Sequence, residues 1–131
     1  MTTLLLIIAG IFCFSNGKFE ERQDVQKPKI VKVQQAKVSW YSVRSNGGTV
    51  TASGAKFGND TNIIAHKHLP FGTKVKFTNS KNGKEHVGIV KDRGPYIKGR
   101  EFDLSKGMAR KLDFVEDGVV RLNYTILYKP Q

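Results

Sequence analysis

Cysteine is almost absent from this chain. Its 131 residues hold one, Cys13, inside an apolar N-terminal stretch. A disulfide framework is thereby excluded, so the fold must be held by its core and its backbone hydrogen bonds. Three histidines and that one cysteine do not supply a zinc site, and no glycine-rich phosphate loop precedes a helix. No metal and no cofactor is expected. Acidic residues are scarce as well, with 11 Asp and Glu against 22 Lys and Arg, a formal charge of +11. None of that charge lies in residues 1–17. The remainder carries all of it, and an anionic partner is expected. Nucleic acid, an acidic membrane surface and an anionic cell-wall polymer all qualify on charge alone.

Long apolar runs are also missing. Leu4 to Phe14 is the longest, and eleven helical residues rise only about 16 Å, short of a hydrocarbon core of roughly 30 Å. That is the length of a secretory h-region, and Ser15-Asn16-Gly17 supplies the small residues a signal peptidase reads. Residues 1–17 are therefore expected to be a signal peptide, although Met1-Thr2-Thr3 offers only its α-amino charge. A lipid anchor on Cys13 is not expected, because Phe12 stands where a small residue is needed. The predicted destination is the periplasm or cell envelope, with no stable membrane span.

What is present reads as one small globular domain, with 39% hydrophobic and 10% aromatic residues. Residues 18–36, polar and broken by Pro28, read as a linker, with Ile30–Val33 as a short first strand. Val38–Tyr41 and Thr49–Gly54 have strand character around an Asn46-Gly47-Gly48 turn. Val75 and Phe77 alternate with Lys74 and Lys76, a half-buried strand. Asn82-Gly83 predicts a hairpin into Glu85–Lys91. Ser105–Leu112 reads as a short helix, and Gly118 opens a final strand, Val119–Tyr128. The predicted class is all-β with one short helix, its six or so strands closed into a small barrel.

One stretch stands out for chemistry. The strand Val87–Val90 runs into Asp92-Arg93-Gly94-Pro95, where a chain break holds a carboxylate at the strand's lip. Asp92 could serve a site there, or merely accept turn hydrogen bonds.

Several segments, taken in order, carry a resemblance. They are Ser39-Trp40-Tyr41, Thr51-Ala52-Ser53-Gly54, Ala65-His66-Lys67, Leu69–Thr73, Val75–Asn79, Asn82-Gly83, Asp92–Tyr96, and Gly99-Arg100 followed by Asp103-Leu104-Ser105. From about Val38 to Tyr128 the chain resembles the rare lipoprotein A (RlpA-like) family of double-psi β-barrel lytic transglycosylases. The resemblance implies a six-stranded double-psi β-barrel over residues 37–129. It also implies an enzyme that cuts the MurNAc-GlcNAc strands of peptidoglycan with 1,6-anhydro products, in cell-wall remodelling. Peptidoglycan glycan strands become the expected partner, nucleic acid does not, and a monomer is expected.

The family pattern pairs His66 with Asp92: Asp92 would be the catalytic acid, and His66 would orient it, hydrogen-bond the sugar or share the proton. The two are expected to meet across one groove. One carboxyl can act first as acid and then as base, so a second is not required. The expected substrate-binding residues are Trp40, Tyr41, Thr51, Ser53, Arg93, Tyr96 and Asp103. Aromatic faces can stack on sugar, as Phe71 also could. Asp103 has a competing reading, in which Asp103 or Ser105 caps the following helix. Two departures from the pattern stand out. Ala55 occupies a position where the family commonly has Glu, which keeps a non-catalytic, expansin-like wall-binding barrel as the alternative. Ser42 replaces a Gly after Trp-Tyr. No peptidoglycan-binding repeat follows the barrel in this sequence, so septal targeting by that route is not expected.

Overall fold

The computed structural model describes residues 31–131. The expected signal peptide and most of the expected linker lie outside the described residues. Six strands run in the order β1 (Gln34–Tyr41), β2 (Ile63–His66), β3 (Lys74–Thr78), β4 (Glu85–Asp92), β5 (Phe102–Ser105) and β6 (Val119–Tyr128). They close into a barrel in the spatial order β1-β5-β2-β4-β3-β6. β1 pairs parallel with β5 and β2 parallel with β4, while the other four pairings are antiparallel. Closure leaves no sheet edge, which stabilises a small domain without disulfides. Among the described residues no helix is long and apolar enough to cross a membrane.

The interior follows from strand alternation. Val38, Ile64, Val75, Phe77, Val90, Phe102, Leu104 and Leu122 point inward, all at 1% exposure or less. Phe102 packs edge-on against Phe77 and Tyr124, with ring centroids 5.1 and 4.9 Å away. Each such side chain contributes about 1.5–3 kcal/mol by leaving water. The helix α2 (Lys106–Lys111) and the turn after it close one end with Met108, Ala109, Leu112 and Phe114. Gly88 on β4 is needed at this contact, because a Cβ there would meet Ile64 and Met108 at 2.7 Å.

A second apolar cluster lies apart from this core. Tyr41, Phe57, Ile63 and Ala65 pack together under the segment 42–62, with the Tyr41 and Phe57 rings stacked at 4.5 Å. That segment departs from the sequence expectation. Thr49–Gly54 forms no strand beyond a single bridge, Val50 to Lys56, because residues 51–55 fold back on themselves: the Gly54 amide donates to the Thr51 carbonyl and the Thr51 amide to the Ala55 carbonyl, each at 2.9 Å. In front of it lies a second short helix, α1 (Val43–Asn46), where one helix was expected. Ser42 caps it, accepting from the Ser45 amide, while the Ser45 hydroxyl accepts from the Ser42 amide at 2.8 Å. The serine that replaces glycine here thus starts a helical turn. The first strand begins at Gln34, after the expected Ile30–Val33 and inside the expected linker; residues 31–33 are irregular, and Ile30 lies outside the described residues.

Candidate active site

Asp92 and Asp103 reach one cavity because both are registered on Ala65. Ala65 of β2 pairs with Asp92 on β4 and with Asp103 on β5. Paired residues show their side chains to the same face, so the two carboxylates flank Ala65, one strand to either side. At about 4.8 Å per strand their backbones stand about 10 Å apart, and the small Ala65 methyl leaves the gap open. On β1, Ser39 pairs with Asp103 and donates its hydroxyl to Asp103 Oδ1 at 3.1 Å.

The aim of Asp92 depends on an irregularity. Ile64 pairs with Val90, but Ala65 pairs with Asp92, so the register slips by one residue. Without that bulge Lys91 would stand opposite Ala65, and Asp92 would turn to the face of the core residue Val90. Once re-aimed, Asp92 is only 6% exposed. Its Oδ2 accepts the Tyr41 hydroxyl at 2.9 Å, and its Oδ1 accepts the Ala52 and Arg93 amides, each at 2.9 Å. Gly94, at φ +119°, turns the chain away immediately afterwards.

The cavity has a volume of about 310 Å³ and opens to solvent. Trp40, Tyr41, Asp92 and Asp103 line its barrel side, and Tyr96 and Arg100 its loop side. Burial pushes the Asp103 carboxyl up to about 6. The Ser39 hydrogen bond and Arg100 oppose that rise, and the Asp92 charge reinforces it. Burial and then the Asp92 charge push the Tyr41 phenol upward, which keeps it a donor. The arrangement offers a carboxyl able to hold a proton in mildly acidic water, beside a second carboxyl fixed by three donors.

Residues 33–124 match the family model described as lytic transglycolase. The chain belongs to this family, the RlpA-like double-psi β-barrels. It is 43% identical over 89 residues to the "Probable endolytic peptidoglycan transglycosylase RlpA" of Aquifex aeolicus, covering 68% of this chain and 39% of that protein. Against the endolytic peptidoglycan transglycosylase RlpA of Neisseria meningitidis serogroup A, identity is 39% over 89 residues, or 68% and 37% of the two chains. The chain thus spans under two-fifths of the length of these relatives. Among solved structures, the Streptomyces papain inhibitor superposes with a TM-score of 0.59 at 19% identity, over 74% of this chain and 96% of that one. That likeness concerns the fold alone.

Within this RlpA-like barrel the sequence-predicted residues separate. Asp92, Asp103, Trp40, Tyr41, Arg93 and Tyr96 all line the cavity. Tyr96 is 78% exposed at its rim. Trp40 also packs on the core and donates its indole N–H to the Val115 carbonyl at 3.1 Å. The Arg93 guanidinium turns aside, donating to the carbonyls of His66 and Leu69 at 3.1 and 2.9 Å and stacking 3.9 Å from the Phe71 ring centre. Thr51 and Ser53 do not line the cavity. Their hydroxyls bond each other at 3.0 Å and Thr51 bonds the Ala55 carbonyl at 3.1 Å, building the turn that presents the Ala52 amide to Asp92. Ala55 is off the cavity wall too.

His66 does not meet Asp92 across one groove. Its side chain lies against Phe102, ring centroids 4.8 Å apart, and faces a neighbouring cavity. His66 Nδ1 accepts the amides of His68 and Leu69 at 3.0 and 2.9 Å, which ties the turn whose carbonyls hold Arg93. Burial, then the nearby charges of His68, Arg93 and Lys67, lower its pKa to about 4.

Asp103 is no helix cap either. Ser105 caps α2, accepting the Met108 amide at 3.4 Å and donating to the Thr61 carbonyl. Ser39, Ala65 and Arg100 were not singled out as site residues from the sequence. Alternation along Val38–Tyr41 carried the signal for Ser39, since it shares the Tyr41 face. No local signal marks Ala65, whose role is to be small between two strands.

Proposed function

We propose that this barrel cleaves the MurNAc-GlcNAc strands of peptidoglycan as an endolytic lytic transglycosylase, forming 1,6-anhydromuramyl ends, in the cell envelope during wall remodelling. The observation that carries the reading is the carboxyl pair on one open cavity, Asp92 and Asp103 flanking Ala65, with burial raising the Asp103 pKa to about 6. The peptidoglycan-directed names of the relatives and the basic chain support the substrate class.

In the proposed reaction Asp103 gives its proton to the glycosidic oxygen as the bond to the muramyl C1 breaks. The muramyl 6-hydroxyl closes on C1 and returns its proton to the Asp103 carboxylate, so the acid is regenerated and no water is consumed. Asp92 is the residue the sequence pattern favours as acid. Its oxygens already accept from Tyr41, Ala52 and Arg93, which suits it to facing the positive charge that develops at C1. His66 supports the site through the turn that anchors Arg93.

Mass spectrometry of digested sacculi tests the assignment. Asp103→Asn should lower release of anhydro products by about 10²–10⁴-fold while strand binding persists. Release that survives Asp103→Asn and vanishes in Asp92→Asn would return the acid to Asp92. A wild type that binds strands and releases no anhydro product would leave the wall-binding barrel.

A further inference from the structure

A second cavity opens beside the candidate site, and the cleavage chemistry does not use it. It has a volume of about 340 Å³ and is lined by His66, Lys67, His68, Gly99, Arg100 and Glu101. Arg100 lines both cavities, so a ligand lying along the first passes the mouth of the second.

The charge of this cavity is lopsided. Lys67 and Arg100 are cations, and among the described residues neither is held in an ion pair. Glu101 is the one acid on the wall, and its Oε1 accepts the Tyr124 hydroxyl at 3.0 Å. His66 adds no charge near neutral pH, because its Nδ1 is committed as an acceptor. Its Nε2 faces Glu101 Oε1 at 4.0 Å. Two cations against one carboxylate leave an excess of positive charge, part of which Arg100 shares with Asp103 in the first cavity, and this suits an anion. Lysine supplies rotatable donors, and arginine a planar fork suited to carboxylate.

We infer that this cavity is a subsite for a carboxylate carried on a muramyl residue of the strand, held by Lys67 and Arg100 while the neighbouring glycosidic bond lies at Asp103. The inference rests on the glycan-cleaving reading of the first cavity. The carboxylate has two chemical sources, the free lactyl group of a bare strand or the stem peptide of a substituted one.

Equilibrium binding to full-length protein carrying Asp103→Asn, which stops turnover, tests the subsite. The probes are bare glycan strands, strands bearing stem peptides, and a chitooligosaccharide of equal length, which has no carboxylate. At least one carboxylate-bearing strand should bind about 10- to 100-fold more tightly than the chitooligosaccharide, the range of one charge-assisted contact. Adding Lys67→Gln should remove most of that preference and leave chitooligosaccharide binding unchanged. Adding Lys111→Gln, an equal charge change on α2 away from both cavities, should leave the preference intact. The strand that shows the preference identifies the source.

Loss of the preference in Lys111→Gln as well would mean diffuse attraction and overturn the subsite. So would a preference that survives Lys67→Gln, or an equal loss of chitooligosaccharide binding. Failure of the first reading looks different: wild-type protein would then release no anhydro product, whatever the binding preference. Absence of binding to every strand would overturn both.

Discussion

His66 lies outside the cavity that holds Asp92 and Asp103, yet it ties the turn whose carbonyls anchor Arg93. Its Nδ1 accepts two backbone amides, so protonation there would break both bonds and loosen the turn that holds Arg93 beside Asp92. Asparagine places an oxygen near the position of Nδ1, whereas glutamine reaches toward the position of Nε2. His66→Asn should therefore keep kcat within a few-fold, and His66→Gln should lower it about 10- to 100-fold with little change in KM, the penalty of a misplaced site. A proton-sharing histidine would lose activity in both, which steady-state kinetics on soluble strands separates. Asp103 carries the opposite kind of tension. Its folded pKa is raised to about 6, so its contribution to stability is complete below the ordinary value of 3.8 and is lost as pH rises through 6. Asp103→Asn should then raise stability at pH 7–8 by about 1–2 kcal/mol, discounted for partial solvation, and change little at pH 4. Thermal melts at the two pH values check it.

At the scale of elements, β6 and the Asn82-Gly83 hairpin are legible in the sequence because alternation and turn chemistry act locally. The pairing of β2 between β4 and β5 is not local, and neither is the bulge at Ala65 that exchanges Lys91 for Asp92. Lys91 and Asp92 sit adjacent in the chain, and only the register of a distant strand decides which one faces the cavity. For the same reason Asp103 and Ser105 compete for one cap on paper, while strand β5 leaves only Ser105 at the helix start. His66 and Asp92 share a family pattern, yet β2 ends by sending the histidine to a separate cavity. Gly88 tests the packing behind this arrangement. A methyl group there meets Ile64 and Met108 at 2.7 Å, so Gly88→Ala should cost about 1–3 kcal/mol of stability. In a domain of about 100 residues that lowers Tm by several degrees per kcal/mol, measurable by calorimetry.

For the whole molecule, the two perturbed groups combine into one pH dependence. The proposed cleavage needs Asp103 protonated, a condition lost as pH rises through about 6. It also requires the His66 turn intact. The folded pKa of His66 lies at about 4, below its ordinary 6.5, so its contribution is complete above 6.5 and is lost as pH falls toward 4. The kcat/KM of the proposed reaction should therefore be bell-shaped, with its maximum at about pH 5 and its limbs near 4 and 6. The two limbs belong to different residues and can be moved separately. His66→Asn, which has no proton to gain, should extend activity on the acid side and leave the upper limb in place. Ser39→Ala removes a hydrogen bond that holds the Asp103 carboxyl down, so it should shift the upper limb to higher pH and leave the lower one. Rates of anhydro-product release across pH 3–8 for wild type and both variants decide the matter. A profile flat across that range, or an upper limb indifferent to Ser39, would show that Asp103 is not the proton donor.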